Sequence, residues 1–520
     1  MSQSELHSNR GPANLLLLTA CMTAVLIPLS IAGPVVTVPS INRLLGGTAV
    51  ELNWVSNAYL LTYGSATMAA GSLADVYGRK LLWLLGMLAY VLVTAAIPFA
   101  PSVLALDVLR LVQGLGAAAA FAGAMATLAQ EFHGRDRTKV FSMIGTTFGL
   151  GAAFGPLVAG FLVDTLGWQW VFWLPALLGV LVVLFVQVAA RESRDPNAAG
   201  LDWPGAISFT TTLGLFTYAI LLVPENGWGS RVVIGALLVS AVLLAIFIVI
   251  ETRVRRPMLD LSLFRSARFI GVQVLAAAPA YTYVVLILLL PTRLMGIDGQ
   301  SAFEAGRFMI ALSAPLLVLP FVAAYLARWF TAGVISGVGL LIAAVGLGWL
   351  GVAMASGTLA NAVAPLVVIG VGIGLPWGLM DGMAVSVVEK ERAGMATGIF
   401  NAVRLAADGV AIAVVGAILS ARIFDTLGRG AIAGAQPEVL KEAANRLAIS
   451  DVAHATSLLP GATRSLLLQA YNGAFEFQFY LLAAAAVVTA FVVFAALGSV
   501  RTHEEADVSL PDASLSKDAG

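Results

Sequence analysis

Between two long apolar runs the chain reads Gly71-Ser72-Leu73-Ala74-Asp75-Val76-Tyr77-Gly78-Arg79-Lys80. A carboxylate, two cations and two glycines are packed into these few positions, with runs at 52–70 and 81–100 on either side. A run of about 20 apolar residues is what a helix needs to cross roughly 30 Å of hydrocarbon at 1.5 Å per residue. The charges are therefore expected to sit in a tight turn at one membrane face, between two spanning helices.

Composition carries that reading to the whole chain. Its residues are 59% hydrophobic and 11% charged, with a mean hydropathy of +0.92, whereas a water-soluble globule carries roughly 25% charged residues. The spans of a membrane β-barrel would be shorter and would alternate in polarity. Successive apolar runs predict helices at 14–39, 52–70, 81–100, 102–130, 138–163, 167–190, 205–223, 231–251, 268–291, 303–326, 332–355, 362–388, 394–421 and 477–499. The expected class is an all-α polytopic membrane protein with fourteen transmembrane helices. That count depends on the uncharged breaks at 98–101 and 356–361.

Lys and Arg concentrate in loops on the cytoplasmic side of a membrane. An even number of spans puts both termini there, and most of the 29 basic residues then fall inside. Arg135, Arg137, Lys139 and the cluster Arg253, Arg255, Arg256, Arg265 and Arg268 face the cytoplasm in this scheme, while Arg43, Arg231 and Arg293 fall in short outer loops. An integral protein of the plasma or inner membrane is expected, in contact with lipid. The zero net charge gives no indication of partners, and no nucleic acid is expected.

The 14–39 run is longer than a signal-peptide core and shows no obvious cleavage site, so it reads as a retained helix. Cys21 is the sole cysteine, which excludes an intramolecular disulfide and suggests a small buried hydrophobe. His7, His133, His454 and His503 lie outside the spans, so neither a metal site nor a His-based proton relay is expected. No nucleophile elbow or phosphate loop points to an enzyme.

The runs group as a six-helix bundle (1–190), a two-helix insert with charged connectors (191–267), a second six-helix bundle (268–500, with an outer loop at 422–476) and a tail (501–520). The turn Ala323-Ala324-Tyr325-Leu326-Ala327-Arg328-Trp329 falls where the second bundle should repeat Gly71 to Arg79. It has lost the carboxylate, as halves related by a repeat do when they specialise.

Several of these stretches resemble one family. Gly71 to Lys80 is similar to the loop between the second and third helices of the major facilitator superfamily. Leu109-Arg110-Leu111-Val112-Gln113-Gly114-Leu115-Gly116-Ala117 resembles its fourth-helix pattern, and Gly149, Gly151, Gly155, Pro156 and Gly160 fall as in the fifth-helix motif of its antiporters. Asn53-Trp54-Val55, Tyr59-Leu60-Leu61, Trp168-Gln169-Trp170, Leu201-Asp202-Trp203-Pro204-Gly205 and Arg256-Pro257-Met258-Leu259-Asp260-Leu261 resemble the fourteen-helix drug:proton antiporter branch. The resemblance implies multidrug efflux driven by the proton gradient, with no cofactor. Its partners would be a small amphipathic substrate and protons, and a monomer is the working expectation. An importer or facilitator of a metabolite, or a membrane sensor that does not transport, remain as alternatives.

Within that frame, Gly71, Asp75, Gly78, Arg79 and Lys80 form a candidate gate, with Glu131 as a possible partner at the same face. In the other reading Arg79 and Lys80 only fix orientation. Arg110 is a cation inside the membrane, where it pairs or faces water. Asp107 and Gln113 lie three residues to either side, on the same helix face. The family pattern does not ask for Asp107, which is either the neutralising partner of Arg110 or an added proton site.

Arg404 and Asp408, four apart in an apolar stretch, form the leading proton-coupling candidate, with Asp381 as another. A buried carboxylate that gains and loses an Arg contact can release and load a proton. A permanent salt bridge is the alternative. Close-packing glycines with Pro156 predict a kinked fifth helix. Pro28, Gly33 and Pro34, and the series Gly370, Gly372, Gly374, Pro376 and Gly378, suggest broken helices around a cavity. Tyr59, Gln113, Phe148, Phe154, Tyr281, Trp377 and Phe400 are the candidate lining. Two departures stand out: Ser30 replaces the acidic residue usual in the branch's first helix, and Gln169 replaces its Arg. Both weaken a direct transfer of the family's coupling chemistry and of cationic substrates.

Overall fold

The computed structural model describes residues 10–47, 49–132, 134–194, 203–227, 229–254, 261–355, 360–388, 393–429 and 436–499. The tail 501–520, the middle of both insert connectors with Arg255 and Arg256, and His7, His133 and His503 lie outside them. So do the side chains of Arg135, Arg137 and Lys139.

All regular structure among the described residues is helical. The first group is α1 Arg10–Leu45, α2 Ala49–Tyr77, α3 Arg79–Ala96, α4 Val103–Glu131, α5 Gly134–Thr165 and α6 Trp170–Ala189. Next are α7 Trp203–Leu221 and α8 Arg231–Arg253, at the position of the expected insert. Then come α9 Ala267–Ala276, α10 Val285–Gly296, α11 Ala302–Ser313, α12 Leu319–Leu326, α13 Ala332–Ala355, α14 Ala360–Ser386 and α15 Ala393–Arg429. The last are α16 Pro437–Ala448, α17 Val452–Leu458 and α18 Arg464–Leu497.

Helical segments occupy all the expected positions, but the expected count of fourteen spans is not confirmed. Among the described residues, 12 helices are long and apolar enough to cross a membrane. α2 and α7 are not among them. The middle of α2 carries Ser56, Asn57, Thr62, Ser65 and Thr67 among its apolar residues, and α7 carries Ser208, Thr210, Thr211, Thr212 and Thr217. Large apolar side chains stay exposed along the outer helices, as lipid-facing surfaces require: Leu85, Leu88 and Leu92 on α3, Leu181 and Leu184 on α6, Leu238 and Val242 on α8.

One apolar core runs from Leu16 to Ala190, and another from Val272 to Leu497 with Ala32. α7 and α8 pack on each other, and α7 also packs against α2 and α15. The expected breaks in the first and twelfth spans are absent. α1 runs unbroken through Pro28, Pro34 and Pro39, and α14 through Pro365 and Pro376. The glycines of α14 serve close contact instead. Gly374 lies against Leu319 and Gly378 against Pro320 of α12.

The real interruptions lie elsewhere. A π turn at Ala280–Val284 separates α9 from α10, and a 3-10 turn at Ala314–Leu317 separates α11 from α12. The segment 422–476, expected as an outer loop, continues both flanking helices and adds α16, whose Ala443, Ala444 and Leu447 are buried. Asn445 of α16 accepts a hydrogen bond from Ser420 at 2.5 Å. Arg293, expected in an outer loop, is instead buried in the last turn of α10. It donates to Asn472 at 2.9 Å and lies over the Phe475 ring at 4.8 Å.

Candidate functional site

A cavity lies between the two helix groups, bounded by α1, α2, α4 and α5 on one side and by α10, α14, α15 and the π turn on the other. About 970 Å³ of it is unfilled by atoms, its open side included. Phe148, Trp377 and Phe400 line it as expected, and Tyr63, Phe121 and Tyr283 complete an aromatic wall.

Arg404, Asp408 and Asp381 all open onto this space. Arg404 is 8% exposed and its guanidinium lies between two rings, 5.0 Å from Phe148 and 4.9 Å from Trp377. Among the described residues no Asp or Glu oxygen lies within 4.0 Å of Arg404, so the permanent salt bridge with Asp408 is not formed. The Oδ1 of Asp408 is buried with no hydrogen-bond partner, and so is the indole nitrogen of Trp377. An orphaned buried carboxylate oxygen costs free energy that a proton, a cation or a donor would remove. The cavity thus holds a cation and two carboxylates free to take new partners.

Four of the proposed lining residues are elsewhere. Tyr59 and Gln113 belong to a network inside the first group, centred on the fully buried Arg110. Arg110 donates to the carbonyl of Val55 at 2.7 Å, to that of Ser30 at 2.9 Å and to Gln113 at 2.5 Å. Its guanidinium also lies 4.6 Å above the Tyr59 ring. Gln113 in turn donates to Thr94 at 2.7 Å, and Ser30 is bonded to Tyr90 at 2.5 Å. Asp107 forms no ion pair with Arg110 within 4.0 Å, and carbonyl oxygens accept the guanidinium's hydrogen bonds; the buried Oδ1 of Asp107 has no hydrogen-bond partner.

Tyr281 donates to Thr489 at 2.5 Å on α18, away from the cavity. The π turn shifts the register there, so Tyr283, Val284 and Ile287 line the cavity in its place. Phe154 is not part of the lining. Tyr63 was legible in principle, one helical turn beyond Tyr59 and stacked on it at 5.8 Å.

The Gly71–Lys80 turn builds a network of its own. Gly78 joins α2 to α3 at φ 131°, a backbone conformation that only glycine adopts without strain, and a Cβ there would meet Glu192. Gly71 lies half-buried with open space around it. Arg79 bonds Asp75 at 2.8 Å and reaches Gln130 of α4 at 2.8 Å. Glu131, the expected partner, is exposed at the helix end, and its neighbour Gln130 faces Arg79 instead. Lys80 bonds the carbonyl of Gln187 at 2.8 Å, and Glu192 accepts the Leu81 amide at 3.0 Å. These bonds tie α2, α3, α4 and the end of α6 together. Asp75→Ala is expected to destabilise the protein by about 0.3–0.5 kcal/mol, as a partly exposed i,i+4 pair does, read as a small drop in thermal midpoint.

The fifth-helix motif faces two ways. Gly151 of α5 is pressed against the Val25 carbonyl and Pro28 of α1, and Gly155 against Ala32. Gly149 faces Trp377 across the cavity, whereas Pro156 meets α11 through its carbonyl. Gly160 is buried in the same helix.

Two helix groups enclosing a central cavity with unpaired charges define a membrane transporter rather than an enzyme. The Major Facilitator Superfamily profile matches residues 18–412, and the chain belongs to that superfamily. It is 30% identical over 394 residues to the multidrug resistance protein Stp of Mycobacterium tuberculosis (strain CDC 1551 / Oshkosh), covering 75% of this chain and 73% of that one. With the tetracenomycin C resistance and export protein of Streptomyces glaucescens it shares 26% identity over 82% of this chain and 79% of that one. A solved bacterial homolog of the human lysosomal transporter Spinster, inward-facing and occupied, superposes with a TM-score of 0.61 at 18% identity, covering 93% and 96% of the two chains. That last likeness is one of fold.

Proposed function

We propose that this protein exports amphipathic small molecules in exchange for protons, by alternating access of the central cavity. The observation that carries the reading is the trio Arg404, Asp381 and Asp408, mutually unpaired within an aromatic-walled cavity between the two helix groups. The names of its relatives, a multidrug resistance protein and an antibiotic export protein, support drug efflux.

With both carboxylates ionised, two negative charges against the Arg404 cation leave one net negative charge in the cavity. A proton neutralises it, and so does a substrate that brings a positive group. The two therefore compete for the same carboxylates, and competition within a cavity that opens to one side at a time is what makes exchange obligatory. The aromatic rings hold the apolar body of the substrate, and Arg404 is free to swing from its rings toward a carboxylate once the substrate leaves.

The test uses purified protein in liposomes with an imposed pH gradient and a fluorescent amphipathic dye. The dye is expected to accumulate against its gradient on the acidic side while protons leave that side. Dye movement in the same direction as protons would indicate a symporter, and binding without movement a sensor; either result would overturn this reading.

A further inference from the structure

At the end of the bundle remote from Asp75, the two helix groups are sealed against each other by α5 and α11. The first turn of α11 is capped from within: Ser301 accepts the Glu304 amide at 3.2 Å, and Glu304 accepts the Ser301 amide at 3.0 Å. A helix start leaves further amides without intrahelical partners. One of these, from Phe303, donates to Oδ2 of Asp164 at 3.0 Å. Asp164 lies at the end of α5, in the other helix group, so this bond crosses the substrate pathway.

Two contacts back it. The rings of Phe161 and Phe303 meet edge to face at 6.3 Å. One turn further along α11, Gly306 lies so close to α5 that a Cβ would stand 2.7 Å from the Pro156 carbonyl oxygen and the Leu157 Cα. The cavity begins directly beneath, at Ala152 and Phe148 of α5. By contrast the Asp75–Arg79 bonds stay inside the first group.

We infer that Asp164 is the latch of this gate, a carboxylate that locks α5 to the positive start of α11 and holds the cavity shut on that side. The inference rests on the alternating-access reading above. A carboxylate suits the task because its charge matches the partial positive charge of a helix N-terminus, and that match disappears once the helices separate by a few ångströms. The bond ends in a backbone amide, so no side-chain partner marks it in the sequence.

The test places a reporter cysteine at Ala152 in a Cys21→Ser background, in oriented membrane vesicles, with a membrane-impermeant maleimide added to one face or the other. Asp164→Ala is expected to speed labelling from the Asp164 face about tenfold, with no gain from the Asp75 face. Asp164→Asn, which keeps an acceptor but not the charge and is the safer variant for folding, should fall between Asp164→Ala and the parent. A rate in both variants equal to the parent's would overturn the latch, and so would equal acceleration from both faces, the mark of general loosening. The labelling does not depend on the pH-gradient assay, so failure of proton exchange and failure of the latch are separately visible.

Discussion

Replacing Asp408 by Asn is expected to reduce uphill dye transport in the pH-gradient assay to the rate seen with no gradient. Asn has nearly the same shape but cannot exchange a proton. Asp408 is 7% exposed and its buried Oδ1 has no partner, so the change breaks no hydrogen bond within the protein. Exchanging a buried carboxylate for a neutral amide lowers the desolvation cost at that point, and the thermal midpoint should hold or rise. Loss of coupling with full stability is the signature of a proton site rather than a packing residue. Dye equilibration down its own gradient should survive. Asp381→Asn provides the comparison: it lines the same cavity beyond salt-bridge range of Arg404, and is expected to slow exchange without abolishing it. If Asp408→Asn still concentrates dye at the parent rate while Asp381→Asn does not, the coupling role passes to Asp381.

Arg110→Leu is expected to act in the opposite way, on the fold before transport. The Arg110 side chain is fully buried, and its three donated bonds tie α4 to α1, α2 and Gln113. Hydrogen bonds from a charged donor contribute about 1.5–3 kcal/mol each in water-soluble proteins, and less inside bilayers. A total loss of about 2–4 kcal/mol follows. Gln113 would keep Thr94 but lose its acceptor contact. Arg110→Lys should recover little, because a single ammonium cannot span the two carbonyls and the amide that the planar fork reaches together. Thermal unfolding in detergent reads both variants. A midpoint unchanged in Arg110→Leu would show that the network is dispensable for stability and would return Arg110 to the transport chemistry.

Much of the architecture was legible in the chain itself. Apolar run length and charge placement depend only on which solvent each residue can tolerate, so they locate the helical segments. The motifs at Gly71–Lys80, Leu109–Ala117 and Gly149–Gly160 pointed to the superfamily. The sequence also singled out Arg404, Asp408 and Asp381, because an ionisable residue in an apolar run is costly enough to stand out. It did not decide what these residues bond to. Spacing of i,i+4 suggested that Arg404 pairs with Asp408, yet rings from α5 and α14 hold the guanidinium apart. Spacing of i,i+3 suggested a bonded Asp107–Arg110 pair, yet the guanidinium bonds to carbonyls of α1 and α2 instead.

The tertiary structure alone assigned the partners, because side chains in a helix bundle are contacted mainly from neighbouring helices that can be hundreds of positions away. It placed Tyr283 rather than Tyr281 in the cavity through a π turn that leaves no clear pattern in sequence. It also brought Asp164 to the Phe303 amide across 139 positions of chain. Solvent preference acts residue by residue and is therefore written in the sequence. Which groups meet depends on how the helices cross, and that is fixed only when the bundle closes.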